Sequence, residues 1–195
     1  MYMSIIATSD NMPEKTVYLD YAAATPMDPR ILEVMLPYFN GRFGNASSMH
    51  ASGRRAAQAI AEAKDTVARV LACAPEEIIF TGSGTESDNL GVAGVALSGG
   101  RRGGVVTTAV EHEAVLETGR FLARLGCPVT VVPVDSGGYV DPDRMAAAVT
   151  TDTAVVSVMA ANNETGAVQP VADVAAAVAG RGVLVHCDAV HAAVS

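Results

Sequence analysis

Four polar clusters in this sequence each follow directly after a run of apolar residues. They are Gly82–Thr85, Val110–His112, Asn162–Glu164 and Asp188–His191. Backbone N–H groups of a glycine-bearing turn can bind a phosphate. An imidazole can stack on an aromatic ring and move protons near neutral pH. A carboxylate behind an apolar strand needs a charged or hydrogen-bonding partner.

The first cluster is a candidate phosphate site, because it joins an apolar run to the start of a predicted helix. Ser83 and Glu86 in this stretch have the spacing of a capping box. The same residues are equally typical of a well-capped helix that binds nothing. The chain lacks both the Gly-Lys-Ser/Thr of a Walker A loop and the G-x-G-x-x-G fingerprint, so a dinucleotide site has little support.

The other three clusters each allow a structural and a functional interpretation. His112 is either a structural histidine or a ring-stacking acid/base. Asn163 is either a turn residue or an amide that contacts a ligand. Asp188 is either a helix N-cap or an anion paired with a protonated pyridinium nitrogen.

A zinc site is a further interpretation of the last cluster, since His186, Cys187 and His191 lie close together in the sequence. Consecutive strand residues point to opposite faces of a sheet, however, so His186 and Cys187 should not share a metal. We therefore predict no metal.

The elements that would position these clusters alternate between strand-like and helical patterns from about residue 76. The apolar runs predict strands at Glu77–Thr81, Val105–Ala109, Val129–Val132, Ala154–Met159 and Val183–Cys187, with helices near Thr85–Leu97, Glu113–Leu125, Pro142–Ala148 and Val171–Ala179. Strands that are apolar throughout and linked by helices predict an α/β fold with a mainly parallel sheet flanked by helices. Ligands of such sheets bind beyond the carboxyl ends of the strands, where all four clusters lie.

Two helices are predicted before the sheet. The first begins at Pro29 behind the candidate N-cap Asp28 and ends near Asn40. The second is amphipathic and carries Ile60 and Val67 on its apolar face. The segment before about residue 75 could form a different structural unit.

The composition excludes several classes of function. Lys+Arg 13 against Asp+Glu 21 gives a net charge of −8, which argues against direct nucleic-acid binding. The sequence shows no apolar stretch of membrane-spanning length and no signal peptide. Three widely spaced cysteines suit a reducing compartment, so we expect a cytoplasmic protein.

The clusters and their order resemble the cysteine desulfurases of the class V aminotransferase group, which are fold-type I pyridoxal-phosphate enzymes. The matching segments are Tyr18–Pro26, Phe43–Ser48, Thr81–Asn89, Glu111–Val115, Asn162–Gly166 and His186–Val190. Order and spacing agree from about residue 16 to the end of the chain. The resemblance implies residues 1–15 as a lead-in and residues 16–195 as the N-terminal part of the transferase domain. That part comprises a segment of the small domain and the large-domain sheet from about residue 76, without its last strands.

The resemblance also implies roles for the clustered residues. Gly84 and Thr85 would bind the phosphate of pyridoxal 5'-phosphate, and His112 would stack on its ring and act as acid/base. Asn163 would contact the ring oxygen or the substrate, and Asp188 would pair with the ring nitrogen. The implied reaction converts L-cysteine to L-alanine and passes the sulfur to an enzyme cysteine as a persulfide. It further implies a sulfur-acceptor protein and a homodimer.

The chain departs from the family pattern at two places. His191 stands where the family usually has a ring-oxygen-binding glutamine, and an imidazole can supply the same hydrogen bond. The Ser-Gly-His-Lys stretch with the Schiff-base lysine and the acceptor cysteine have no counterpart among residues 16–195. We therefore expect a partial chain that is inactive and poorly soluble by itself. The alternatives are another class V enzyme, such as a selenocysteine lyase or aminotransferase, and a non-catalytic fragment that binds the cofactor or a partner.

Overall fold

The computed structural model describes residues 17–100 and 102–192, and the predicted lead-in of residues 1–15 lies outside them. The chain divides into two compact units, and the division falls after Ile78. The assignment of residues 16–195 to parts of a transferase domain stays a prediction.

The first unit contains two helices, and the sequence predicted both. Helix α1 (Pro29–Phe39) begins behind Asp28, whose carboxylate accepts a backbone N–H of the first turn. Helix α2 (Ala51–Leu71) begins behind His50, whose Nδ1 accepts the N–H of the third helical residue. A short 3-10 turn at Pro75–Glu77 follows.

The second unit is a four-stranded sheet with helices between its strands. Its elements are α3 (Gly84–Asp88), a π-helical turn (Asn89–Ala93), α4 (Gly94–Ala96), β1 (Gly104–Thr108), α5 (Glu113–Arg124), β2 (Val129–Val132), α6 (Pro142–Ala148), β3 (Thr153–Ser157), α7 (Val171–Ala177) and β4 (Leu184–His186). Every strand pair is parallel, and the strand order is β2–β1–β3–β4. The predicted α/β class and parallel sheet are confirmed. Among the described residues, no helix has the length and apolar character needed to cross a membrane.

Both faces of the sheet are covered by apolar side chains. Val105 and Val155 pack with residues of the π-helical turn, α4 and α5 on one face. Val106 and Val156 pack with α6 and α7 on the other face. Because successive strand residues point to opposite faces, strands that are apolar throughout are what a sheet covered on both sides requires.

The strand predicted at Glu77–Thr81 is wrong for this structure. Glu77 belongs to the 3-10 turn, and residues 78–81 form no strand. Their apolar character agrees with a strand, yet a strand needs a hydrogen-bonded neighbour, and none of β1–β4 pairs with this segment. Ile79 and Phe80 are exposed. The sheet therefore begins at Gly104 and not near residue 76.

Substitution of Gly103 should test how tightly β1 enters the sheet. A Cβ at Gly103 would overlap the Cβ of Ala154, which cannot rotate away. We expect Gly103→Ala to lower the free energy of unfolding by about 1–3 kcal/mol, as overpacking does. Gly94 is a helical control with no atom within 4 Å of the added Cβ. Gly94→Ala should raise the same free energy by about 0.5–1 kcal/mol. Urea unfolding measures both free energies. Equal changes in Gly103→Ala and Gly94→Ala would contradict the close packing of Gly103.

Candidate functional site

A cleft of about 180 Å³ lies beyond the carboxyl ends of the strands in the second unit. It is lined by Gly84, Thr85, Asp88, His112, Asp188, Val190 and His191. Five of the six residues predicted for the site are in this lining, and Asn163 is not. The strand order reverses between β1 and β3, which is the place where open parallel sheets form a ligand crevice.

The start of α3 presents backbone N–H groups to this cleft. Ser83 Oγ accepts the N–H of Glu86 at 3.1 Å, and the Glu86 carboxylate accepts the N–H of Gly82 at 2.7 Å. The caps thus leave the N–H groups of Gly84 and Thr85 without a hydrogen-bond partner among the described residues. Two open N–H groups at the start of a helix form a binding site for an anion.

Gly84 also keeps the cleft open. A Cβ at this position would lie 3.1 Å from Cγ2 of Val190, which follows β4. The absence of a side chain therefore lets a ligand approach the backbone closely.

His112 lies at the exit of β1 and is the N-cap of α5. Its Nδ1 accepts the backbone N–H of Ala114 at 3.1 Å. This hydrogen bond assigns the proton of the neutral imidazole to Nε2. The ring is exposed at the cleft and can contact a planar ligand or exchange a proton with it.

The cleft is acidic, and two buried carboxyls were not predicted as site residues. Asp88 lines the cleft, and Glu111 directly precedes the lining residue His112. Asp88, Glu111 and Asp188 are 4%, 5% and 7% exposed. Burial, followed by the charge of Asp188, raises the pKa of Asp88 to about 6, while His112 acts in the opposite direction. Asp88 could have been found from its spacing, since it lies one helical turn after Gly84 on the same face.

Glu111 connects the exits of the two central strands. Its Oε1 accepts the hydroxyl of Thr108 at 2.7 Å and the N–H of Met159 at 2.8 Å. Its Oε2 is buried and has no hydrogen-bond partner among the described residues. Burial raises the pKa of Glu111 to about 7, the two hydrogen bonds lower it, and Asp188 and Asp88 raise it further. Glu111 could have been predicted as a site residue from its position inside the Val110–His112 cluster.

Asp188 stands directly beyond β4, as the sequence indicated. Its Oδ1 accepts the backbone N–H of Val190 at 3.0 Å, which closes a short turn. The second carboxylate oxygen has no hydrogen-bond partner among the described residues, so it can accept a hydrogen bond from a ligand in the cleft. His191 lies beside it in the lining.

The two asparagines of the third cluster have different partners. Asn163 Nδ2 donates to Glu164 Oε1 at 2.9 Å, within its own turn. Asn162 instead donates to the backbone oxygen of Val110 at 2.9 Å, while its Oδ1 accepts the N–H groups of Glu164 and Thr165. Asn162 thus ties the turn to the exit of β1, and a ligand contact of Asn163 stays a prediction.

The remaining polar chemistry near the cleft is weak. Within the described part of the chain, no three His, Cys, Asp or Glu side chains are gathered as a metal site would require. Burial raises the pKa of the Cys187 thiol, and the charges of Glu111 and Asp188 raise it further. Because the thiolate is the nucleophile, this cysteine is a poor sulfur acceptor.

Comparison with known sequences connects this cleft to one group of proteins. The family model described as aminotransferase class-V matches residues 17–195. A cysteine desulfurase IscS from Anaeromyxobacter sp. (strain Fw109-5) is 47% identical over 179 residues, which are 91% of this chain and 44% of that protein. The corresponding protein of Dictyoglomus turgidum is 42% identical over 91% of this chain and 45% of its own length. The chain thus spans less than half the length of these relatives.

Solved structures agree with the sequence comparison. A NifS-like protein superposes with a TM-score of 0.84 at 42% identity, over 90% of this chain and 49% of its own. A structure described as SspA in complex with cysteine superposes with a TM-score of 0.83 at 33% identity, over 88% of this chain and 50% of its own.

Proposed function

Since the chain belongs to the aminotransferase class-V family, we propose that it forms the pyridoxal 5'-phosphate-binding part of a cysteine desulfurase. Such an enzyme converts L-cysteine to L-alanine and passes the sulfur on as a persulfide, for iron–sulfur cluster assembly or nucleic-acid thiolation. One observation carries the proposal. Open backbone N–H groups, an exposed imidazole and a buried carboxylate line the same cleft at the carboxyl edge of a parallel sheet.

The cleft residues fit this cofactor by charge. Asp188 is buried, and the cleft lining contains two carboxylates but neither lysine nor arginine. A protonated pyridine nitrogen would supply the cation that Asp188 needs. The N–H groups of Gly84 and Thr85 would receive the phosphate, which is the anion that a helix start prefers.

The chain's own residues then have distinct roles. When bound, pyridoxal phosphate supplies an electron sink for the negative charge that develops at the substrate Cα. Asp188 would hold a proton on the ring nitrogen, and His191 would donate a hydrogen bond to the ring oxygen. His112 would stack on the ring, and its Nε2 would move the substrate's protons. Asn163 would contact the ring oxygen or the substrate.

The complete reaction needs groups that residues 16–195 do not contain. The only lysines of the chain are Lys15 and Lys64, and neither follows a strand of the sheet. We propose that the Schiff-base lysine and the acceptor cysteine come from another part of the protein. A homodimer, a sulfur-acceptor protein as partner and a cytoplasmic location belong to the same proposal. Three cysteines without disulfides suit a reducing compartment.

Titration of the 195-residue chain with pyridoxal phosphate tests the cofactor site. We expect a saturable change in the absorbance of the aldehyde. After borohydride reduction, we expect no adduct on residues 79–192, because that segment has no lysine. Absence of saturable binding would contradict the proposal.

The reaction is tested by adding the lysine-bearing half of a cysteine desulfurase to the chain. We expect alanine from L-cysteine together with an equal amount of persulfide sulfur. Cofactor binding without any alanine would overturn the desulfurase assignment and leave the cofactor site intact. In that case, another class V reaction or a purely binding role would be favoured.

A further inference from the structure

Asp88 is a buried carboxylate in the cleft to which the proposed mechanism gives no role. It is the last residue of α3, is 4% exposed and contributes to the cleft lining. Its carboxylate has one neighbouring polar group among the described side chains, because Oδ1 lies 3.5 Å from Nε2 of His186. That separation is longer than a normal hydrogen bond.

His186 is itself held from two sides. Its Nδ1 lies 2.9 Å from Oγ of Ser157, which is fully buried at the end of β3. Its ring also lies against Gly91 in the π-helical turn, where an added Cβ would be 3.0 Å from the ring's Cδ2. π-helical turns inside α-helices are frequently found at functional sites. Ser157, His186 and Asp88 thus form a fixed chain that ends at the cleft.

Several charged or titratable groups act on Asp88. Asp188 raises its pKa and His112 lowers it, and both line the same cleft. Asp88 in turn raises the pKa of Glu111, while burial lowers the pKa of His186. His191 is the remaining titratable group of the lining. Near neutral pH, this set favours a neutral imidazole at His186 and an ionised carboxylate at Asp88.

Two carboxylates therefore act at one cleft from different elements. Asp188 follows β4, and Asp88 lies on the helix whose first residues would receive the phosphate. In a buried site, a second charge within a few ångströms changes the protonation of a ligand more strongly than it would in water.

We propose that Asp88 is a positioning residue of the site that would bind the pyridine ring of the cofactor. This inference rests on the proposed function. Its charge, fixed by His186 and Ser157, shares with Asp188 the stabilisation of the protonated pyridine nitrogen. Asp88 acts through the electrostatic field, and Asp188 makes the direct contact.

The test follows the ring nitrogen itself by ¹⁵N NMR of ring-labelled pyridoxal phosphate bound to the protein between pH 5.5 and 9. In Asp88→Asn, we expect the pKa of the ring nitrogen to fall by about one pH unit, a tenfold change. Asp173→Asn makes the same chemical change at an exposed residue of α7 and should leave the titration unchanged. An unchanged titration in Asp88→Asn would overturn the inference.

A second variant keeps the carboxylate of Asp88 and removes the hydrogen bond that holds His186. Ser157→Ala releases Nδ1 of His186 and should shift the ring titration in the same direction by less than Asp88→Asn does. A shift in neither variant overturns the inference while cofactor binding, and with it the proposed function, stands. Failure of the wild-type protein to bind pyridoxal phosphate would overturn both. Thermal unfolding of each variant, measured in parallel, separates a shifted titration from a loss of structure.

Discussion

Replacement of Asp188 by asparagine is expected to weaken the binding of pyridoxal phosphate by ten- to a hundredfold. The amide keeps the oxygen that accepts the N–H of Val190 at 3.0 Å, so the turn after β4 should persist. It removes the buried anion that would pair with the ring nitrogen. A charge-assisted hydrogen bond contributes about 1.5–3 kcal/mol, which corresponds to that loss of affinity. Absorbance titration near pH 7.5 measures the effect.

Asp173→Asn is the matched control for this prediction, because Asp173 is exposed in the first turn of α7. Its dissociation constant should equal that of the wild-type chain. Equal affinities in the wild-type chain and Asp188→Asn would show that the ring nitrogen does not pair with Asp188.

Replacement of Glu111 by glutamine is expected to stabilise the protein at alkaline pH. Burial raises the pKa of Glu111 from its ordinary value of 4.5 to about 7. Between these two pH values the folded chain binds more protons at this site than the unfolded chain. The contribution of Glu111 to the free energy of unfolding therefore falls as the pH rises from 4.5 to 7. Because glutamine does not titrate, this decrease in the free energy of unfolding between pH 4.5 and 7 should be absent from the variant.

The difference between the two proteins should approach about 3 kcal/mol above pH 8 and vanish below pH 4.5. Urea unfolding at a series of pH values measures it. Glu117→Gln is the control, because Glu117 is exposed on α5 and pairs with Arg120 on the same helix. A difference that does not depend on pH would mean that the pKa of Glu111 is the same in the folded and the unfolded chain.

The sequence alone predicts most of what forms this cleft. Apolar runs identify β1–β4, and the polar residues that follow β1 and β4 identify His112 and Asp188. Gly84 is found from the apolar run at Glu77–Thr81, although that run forms no strand. This inference works because a parallel sheet covered on both faces leaves only the strand ends available for polar chemistry.

The features that the sequence does not predict depend on distances between residues that are far apart in the chain. Asp88 on α3, Glu111 after β1 and Asp188 after β4 come together only in the folded chain. Burial raises the pKa of Asp88 and of Glu111, and the charge of Asp188 raises both further. The apolar run at Glu77–Thr81 has strand composition, but no strand of the sheet pairs with it. Asn162 and Asn163 have the same side chain, so only the hydrogen bond to Val110 distinguishes their roles.

The proposed function requires pyridoxal phosphate to bind at the carboxyl edge of the sheet. A ¹H–¹⁵N correlation spectrum of the chain, recorded during titration with the cofactor, tests it most directly. Saturable shifts should appear at the amides of Gly84, Thr85, His112 and residues 188–191. Asp152, at the amino edge of the same sheet, should not shift. Shifts confined to the amino edge, or none that saturate, would contradict the account.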